Sequence, residues 1–136
     1  MQYVPFLAIL AAYALIYLPR MGPVSRAMSA MPGGYNNHDP RTQAASLEGA
    51  ARRAANAHHN AIEAFGPFAA GVIVAMFRTP THPDLVALIC IGFVVVRTVY
   101  VFAYIDDKPS LRSGMWTLGL LATAALLVLG VIGPKL

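Results

Sequence analysis

The sequence predicts an all-α integral membrane protein, a bundle of four transmembrane helices forming one domain over residues 1–136. Three observations predict it. Of the 136 residues, 57% are hydrophobic and only 12% charged, a balance foreign to a water-soluble domain. The mean hydropathy of +0.59 comes from four apolar segments, each near the roughly 20 residues a helix needs to cross about 30 Å of hydrocarbon. The segments are continuous rather than alternating. Backbone in lipid must pair within its own segment or in a closed barrel, so the pattern selects helices over strands.

The first helix is expected at about 3–18, in the run from Tyr3 to Leu18. Its leading residues, MQY, carry no cation, while Arg20 and Arg26 follow it; a secretory signal has the opposite charge order, so the segment reads as a span. From Pro19 the composition shifts to PRMGPVS and MPGGYNNHDPR, the Pro, Gly and Asn pattern of a loop. Helix-forming residues return with TQAASLEGAARRAANA. The second helix is expected at about 43–77, starting in the interface and bent at Gly66 and Pro67. HPD at residues 82–84 opens the third, at about 84–105, with Asp84 placed to complement the helix dipole. DDKPSLRSG turns the chain into the fourth, at about 112–132.

Charge sets an expected topology. Arg20, Arg26, Arg41, Arg52 and Arg53 lie between the first two spans, and Lys108 and Arg112 between the last two, against Arg78 and Lys135 on the other side. By the positive-inside rule both odd-numbered loops face the cytoplasm and both termini face away from it. The net charge of +4 concentrated there serves topology and attracts anionic headgroups or an anionic ligand; nucleic acid is not the expected partner. Cys90, the lone cysteine, falls in the third span and reads as a buried, inert thiol.

With the chain spent on spans, a site must be made by helices or short connections. The stretch NAHHNAIEAF, residues 56–65, puts polar groups at the head of an apolar run. At about 100° per residue Arg52, Asn56, His59 and Glu63 fall within roughly 60° of one another, with Asn60 and Arg53 on the flank and His58 opposite. A carboxylate inside a bilayer is costly, so Glu63 should face the protein interior and meet a cation or a hydrogen-bond donor. The third helix supplies a complement in RTVYVFAY, which places Arg97, Tyr100 and Tyr104 on one face. Arg112 and Ser113 stand where the fourth helix begins. Each also has a plain reading: an ion pair that fixes packing, interfacial tyrosines, a topology charge and a helix cap. Together they suit a small zwitterion with more than one carboxylate, such as a tripeptide thiol, or another polar ligand, or pairing within the bundle.

AHHNAIEAFGPF resembles the AHxNxxE motif, with a proline four residues after the glutamate, of the MAPEG proteins, the membrane-associated proteins of eicosanoid and glutathione metabolism that include the microsomal glutathione transferases. RTVYVFAY and LRSGMW resemble the family's third-helix arginine and tyrosines and the arginine opening its fourth helix. The pair Arg112 and Ser113 is similar to that of the prostaglandin-forming members. The resemblance implies a homotrimer of four-helix bundles with glutathione, the co-substrate, between subunits near the cytoplasmic side. It implies that Glu63 pairs with the glutathione amino group and Asn60 bonds its backbone. Arg97, Tyr100 and Tyr104 would hold carboxylate or thiol ends, and Arg112, with Ser113 beside it, would stabilise the thiolate for attack on an apolar electrophile or lipid hydroperoxide arriving from the bilayer. One departure stands out: Asn56 occupies the place of a family arginine seven residues before the glutamate, leaving Arg53, ten before it, to cover the same carboxylate or to point into headgroups.

Other chemistries lack their residues. His58 and His59 diverge on a helix, with nothing to complete a metal set, and no Ser, His, Asp arrangement or phosphate-binding loop is present. Two readings therefore go forward: a glutathione-dependent transferase or peroxidase, favoured by Tyr104 and Arg112, and a noncatalytic scaffold, accessory subunit or lipid-binding protein, favoured by Asn56.

Overall fold

A computed structural model describes residues 3–77 and 83–132. The chain runs through α1 (Val4–Pro19), a π-helical turn (Arg20–Val24), α2 (Ser25–Ser29), α3 (Pro40–Ala45), α4 (Gly49–Phe77), α5 (Pro83–Ile105) and α6 (Pro109–Ile132). Four stretches are long and apolar enough to cross a membrane: Val4–Ser29, Gly49–Phe77, Pro83–Ile105 and Pro109–Ile132. The fold is thus that of a multi-pass integral membrane protein, and all regular structure among the described residues is helical. The loop-opposed cations Arg78 and Lys135, and His82 before the third span, lie outside the described residues.

The helix ends differ from the sequence expectation in three places, each for a local reason. The first helix continues past residue 18 instead of giving way to a loop at Pro19. Pro19 and Pro23 have no N–H to donate, and the chain absorbs this by widening one turn, so that the Ser25 N–H reaches the Arg20 carbonyl. The long second helix is split. Asp39 accepts from the Thr42 N–H at 3.2 Å and starts α3 with Pro40 behind it, but the helix closes at Ser46 and α4 begins only at Gly49, whose φ of +55° suits glycine. Finally, α6 starts at Pro109, a proline with its φ preset for a first turn, rather than at 112. In α4 the helix runs on through Pro67, and Asp84 sits in the first turn of α5.

α4 packs against α1, α5 and α6. The core between them gathers Phe68, Val72, Val86, Cys90, Phe93 and Leu126, with the Phe68 and Phe93 rings stacked at 3.7 Å. Cys90 is buried and unpaired. The outer faces, including Leu7, Leu88, Leu121 and Val131, stay exposed, as expected of surfaces solvated by lipid. A second cluster of Val24, Met28, Leu47 and Ala54 seats the α2 end of the first span on the start of α4. The segment after α2 is ordered by Gln43, whose Nε2 donates to the Gly34 and Met28 carbonyls at 2.7 and 3.3 Å while its Oε1 accepts from the Asn36 N–H at 2.9 Å.

Small residues set how closely the spans approach. A Cβ on Gly130 would lie 2.5 Å from Val74 Cγ1, 2.8 Å from the Val74 carbonyl carbon and 2.9 Å from the Ala75 nitrogen. Backbone cannot yield as a side-chain tip does, so α6 must move off α4. Gly130→Ala is expected to destabilise the purified protein in detergent by about 1–3 kcal/mol, as overpacking does, whereas Gly92→Ala, with nothing within 4 Å, leaves the thermal unfolding curve in place.

Candidate functional site

The site begins with Arg97, only 5% exposed in the middle of an apolar helix. A guanidinium cannot shed its charge at that depth, so every neighbour must accept from it or stack on it. Asn60 on α4 does the first: Arg97 Nη2 donates to Asn60 Oδ1 at 2.8 Å and to the Asn60 carbonyl at 3.3 Å. Tyr100, one turn along α5, does the second, its ring centroid 4.2 Å from the guanidinium carbon. On the α6 side Gly119 leaves room, since a Cβ there would stand 3.2 Å from Arg97 Cδ.

From this anchor the polar groups extend in two directions. Asn60 Nδ2 donates to Glu63 Oε2 at 3.3 Å, so Glu63 meets a hydrogen-bond donor as expected, but it stands at the surface and not turned to the protein interior, because Asn60 and not Glu63 takes the place against Arg97. Glu63 is exposed, on the rim of a hollow of about 180 Å³ that also takes in Pro67, Phe93, Arg97, Trp116 and Thr123. In the other direction Tyr100 meets Tyr104 edge to face at 5.7 Å, and the Arg112 guanidinium lies over the Tyr104 ring at 4.8 Å. Three helices therefore carry one connected series: Glu63, Asn60, Arg97, Tyr100, Tyr104 and Arg112. Ser113 is exposed beside Arg112, in the first turns of α6 and not at its cap; its carbonyl accepts from Thr117 Oγ1 at 3.1 Å.

The remaining predicted residues lie elsewhere. Arg53 turns to α5 and not to Glu63: its Nε donates to the Ile105 carbonyl at 3.0 Å and its Nη1 stands 3.7 Å from Asp107 Oδ2. It thus grips the end of α5, where Asp107 at φ +58° lets the Lys108 and Asp107 N–H groups cap the Ala103 and Tyr104 carbonyls. That turn leads directly into α6 and fixes where Arg112 emerges. Asn56 and His59 line a separate groove with Arg52. His58 lines it too, although the wheel set it opposite: its Nδ1 lies 2.7 Å from the Ile16 carbonyl, which can only accept, so Nδ1 carries the proton. Gly119 and Trp116 join the site without a motif of their own; small size opposite a buried arginine and an aromatic one turn from Arg112 are the signals that mark them.

A protein-family model described as the MAPEG family matches residues 3–132. No curated protein matches the chain, and no solved structure does.

The interaction of Asn60 with Arg97 is open to a double-mutant cycle. Asn60→Leu leaves a buried guanidinium short of an acceptor and is expected to cost about 1.5–3 kcal/mol in detergent unfolding, the range for a hydrogen bond to a charged group. In the background of Arg97→Met the same change is expected to cost much less, because no unmet charge remains.

Proposed function

The chain belongs to the MAPEG family, and from that premise we propose that it is a glutathione-dependent membrane transferase or peroxidase. Family membership by itself suggests a membrane function connected with glutathione or eicosanoids. The observation that carries the finer reading is the connected series from Glu63 to Arg112, because its two exposed or half-exposed ends bear opposite charges while its middle is buried.

A tripeptide thiol fits those ends. Glu63, held by Asn60, offers a carboxylate to the glutathione ammonium, and Arg112 offers a guanidinium to the sulfur. A free thiol titrates near pKa 8.5, so a cation beside it raises the thiolate fraction at neutral pH, the proton passing to solvent. Stacking on Tyr104 occupies the guanidinium face and leaves its N–H edge for the thiolate. Arg97 is buried and committed, so it acts as a positioning residue for Asn60 and Tyr100 and not as a ligand contact. In transfer, the thiolate attacks an electrophilic carbon, forming a C–S bond as the leaving group departs with its electron pair. In peroxide reduction it attacks the distal oxygen, releasing an alcohol, and a second glutathione converts the resulting sulfenic acid to disulfide and water. Apolar co-substrates reach the site from the bilayer. A homotrimer with the tripeptide between subunits, termini on the non-cytoplasmic side and the site near the cytoplasmic surface belong to the same reading.

A second reading has its own observation. Asn60 uses its oxygen on Arg97 and its nitrogen on Glu63, and Asn56 stands in a different groove, so the Asn60 part of the series is paired within the bundle. A noncatalytic membrane protein that keeps the family fold and uses these groups for packing fits that.

Titrating glutathione into the purified protein separates the two. Saturable thiolate absorbance is expected, abolished by Arg112→Ala, with Glu63→Gln weakening binding about tenfold, as loss of one charge-assisted contact does. Absence of both that signal and any glutathione-dependent shift in melting temperature would establish the second reading. A reporter fused after Leu136 is expected on the non-cytoplasmic side.

A further inference from the structure

Beside the polar series, and separate from it, the described residues form a groove of about 690 Å³ where the first span hands over to the second. Its walls bring together three arginines from three elements: Arg20 in the π-helical turn, Arg41 in α3 and Arg52 in α4. His58 and His59 stand beside them, and no acidic residue lines the groove. The two ion pairs among the described residues, Arg53 with Asp107 and Lys108 with Asp106, involve none of these arginines. Arg20 is steered by a weak contact of Nη1 with Met28 Sδ at 3.4 Å, which leaves its other N–H groups available. Three uncompensated guanidinium groups around one concavity repel each other and are stabilised by an anion entering it.

We propose that this groove binds the phosphate headgroup of an anionic phospholipid. The chemistry on the page favours a lipid over a soluble anion in two ways. Arg20 follows the apolar part of the first span and Arg52 precedes that of the second, so the arginines sit at headgroup depth. Below them the surface turns aromatic: the His58 ring is 6.3 Å from that of Tyr17, which meets Tyr13 at 5.3 Å, which meets Phe65 at 5.9 Å. Tyr13 and Tyr17 are exposed. Cations above and a lipid-facing aromatic strip below match a phosphate with an acyl chain attached, the chain lying along the strip while planar guanidinium groups engage phosphate oxygens. The groove also holds Asn56 and His59, residues expected near glutathione, so the test includes glutathione as a competitor.

The test uses the full chain, delipidated in detergent and examined by native mass spectrometry and thermal unfolding with four probes: phosphatidylglycerol, phosphatidylcholine, inorganic phosphate and glutathione. Phosphatidylglycerol is expected to bind in preference to phosphatidylcholine and to raise the melting temperature. Each of Arg20→Gln, Arg41→Gln and Arg52→Gln should lower that preference roughly five-fold, the effect of one cation beside anionic headgroups, with the triple variant showing none. Arg41→Gln alone suffices if the triple variant does not fold, since Arg41 is exposed. Arg26→Gln removes the same charge from an exposed position outside the groove and should leave the preference intact. Equal binding of the two lipids, or an equal effect of Arg26→Gln, overturns the proposal. So does a response to inorganic phosphate alone that matches the lipid's, which assigns the groove to a soluble phosphate. Displacement of phosphatidylglycerol by glutathione that depends on the three arginines overturns it too, assigning the groove to glutathione.

Discussion

A permanent positive charge buried in a bundle made for lipid is the constraint on which the rest of this structure depends. Arg97 is 5% exposed, and neither loss of its proton nor solvation by water relieves it. Its surroundings follow. Asn60 must face α5 and turn its oxygen inward, and Gly119 must lack a side chain so that α6 can close over the arginine stem. Tyr100 must lie along the helix to take the guanidinium face. Asn60 is then left with its amide nitrogen pointing outward, and this nitrogen meets Glu63. An exposed carboxylate is thus oriented by a buried cation through one amide, an arrangement that holds its direction better than a surface ion pair, which costs side-chain freedom and is screened.

The opposite end of the series is controlled from a different place. Arg112 enters at the start of α6, and the turn before it is fixed by Asp107 in a left-handed conformation and by the grip of Arg53 on Ile105 and Asp107. α4 therefore orients both ends, Glu63 through Asn60 and Arg97, and Arg112 through Arg53 and the turn. This coupling explains why one helix carries so many polar residues although few of them face the same space.

Apolar packing and polar placement are divided along the bundle. The spans meet through stacked Phe68 and Phe93 and through glycines such as Gly130, whose closeness to Val74 and Ala75 brings backbones together where lipid offers no hydrophobic drive for association. Near the loops, a smaller core around Val24, Met28, Leu47 and Ala54 holds the π-helical turn against α4, and this places Arg20 opposite Arg52.

Much of this was legible in the residues. Four apolar runs determine four helices because bilayer thickness and backbone pairing leave no other choice, and RTVYVFAY, placing Arg97, Tyr100 and Tyr104 on one face, follows from helical period alone. The motif around Asn60 and Glu63 marked the family to which the chain belongs. The tertiary structure decided what periodicity cannot contain, namely which neighbour each polar face meets. One wheel sector of α4 is shared between two concavities, so Asn56 and His59 part from Glu63, and Arg53 goes to the end of α5. A helical wheel records direction about one axis, whereas a hydrogen bond requires a partner at the same height on another helix, and only the packing of the helices sets that height.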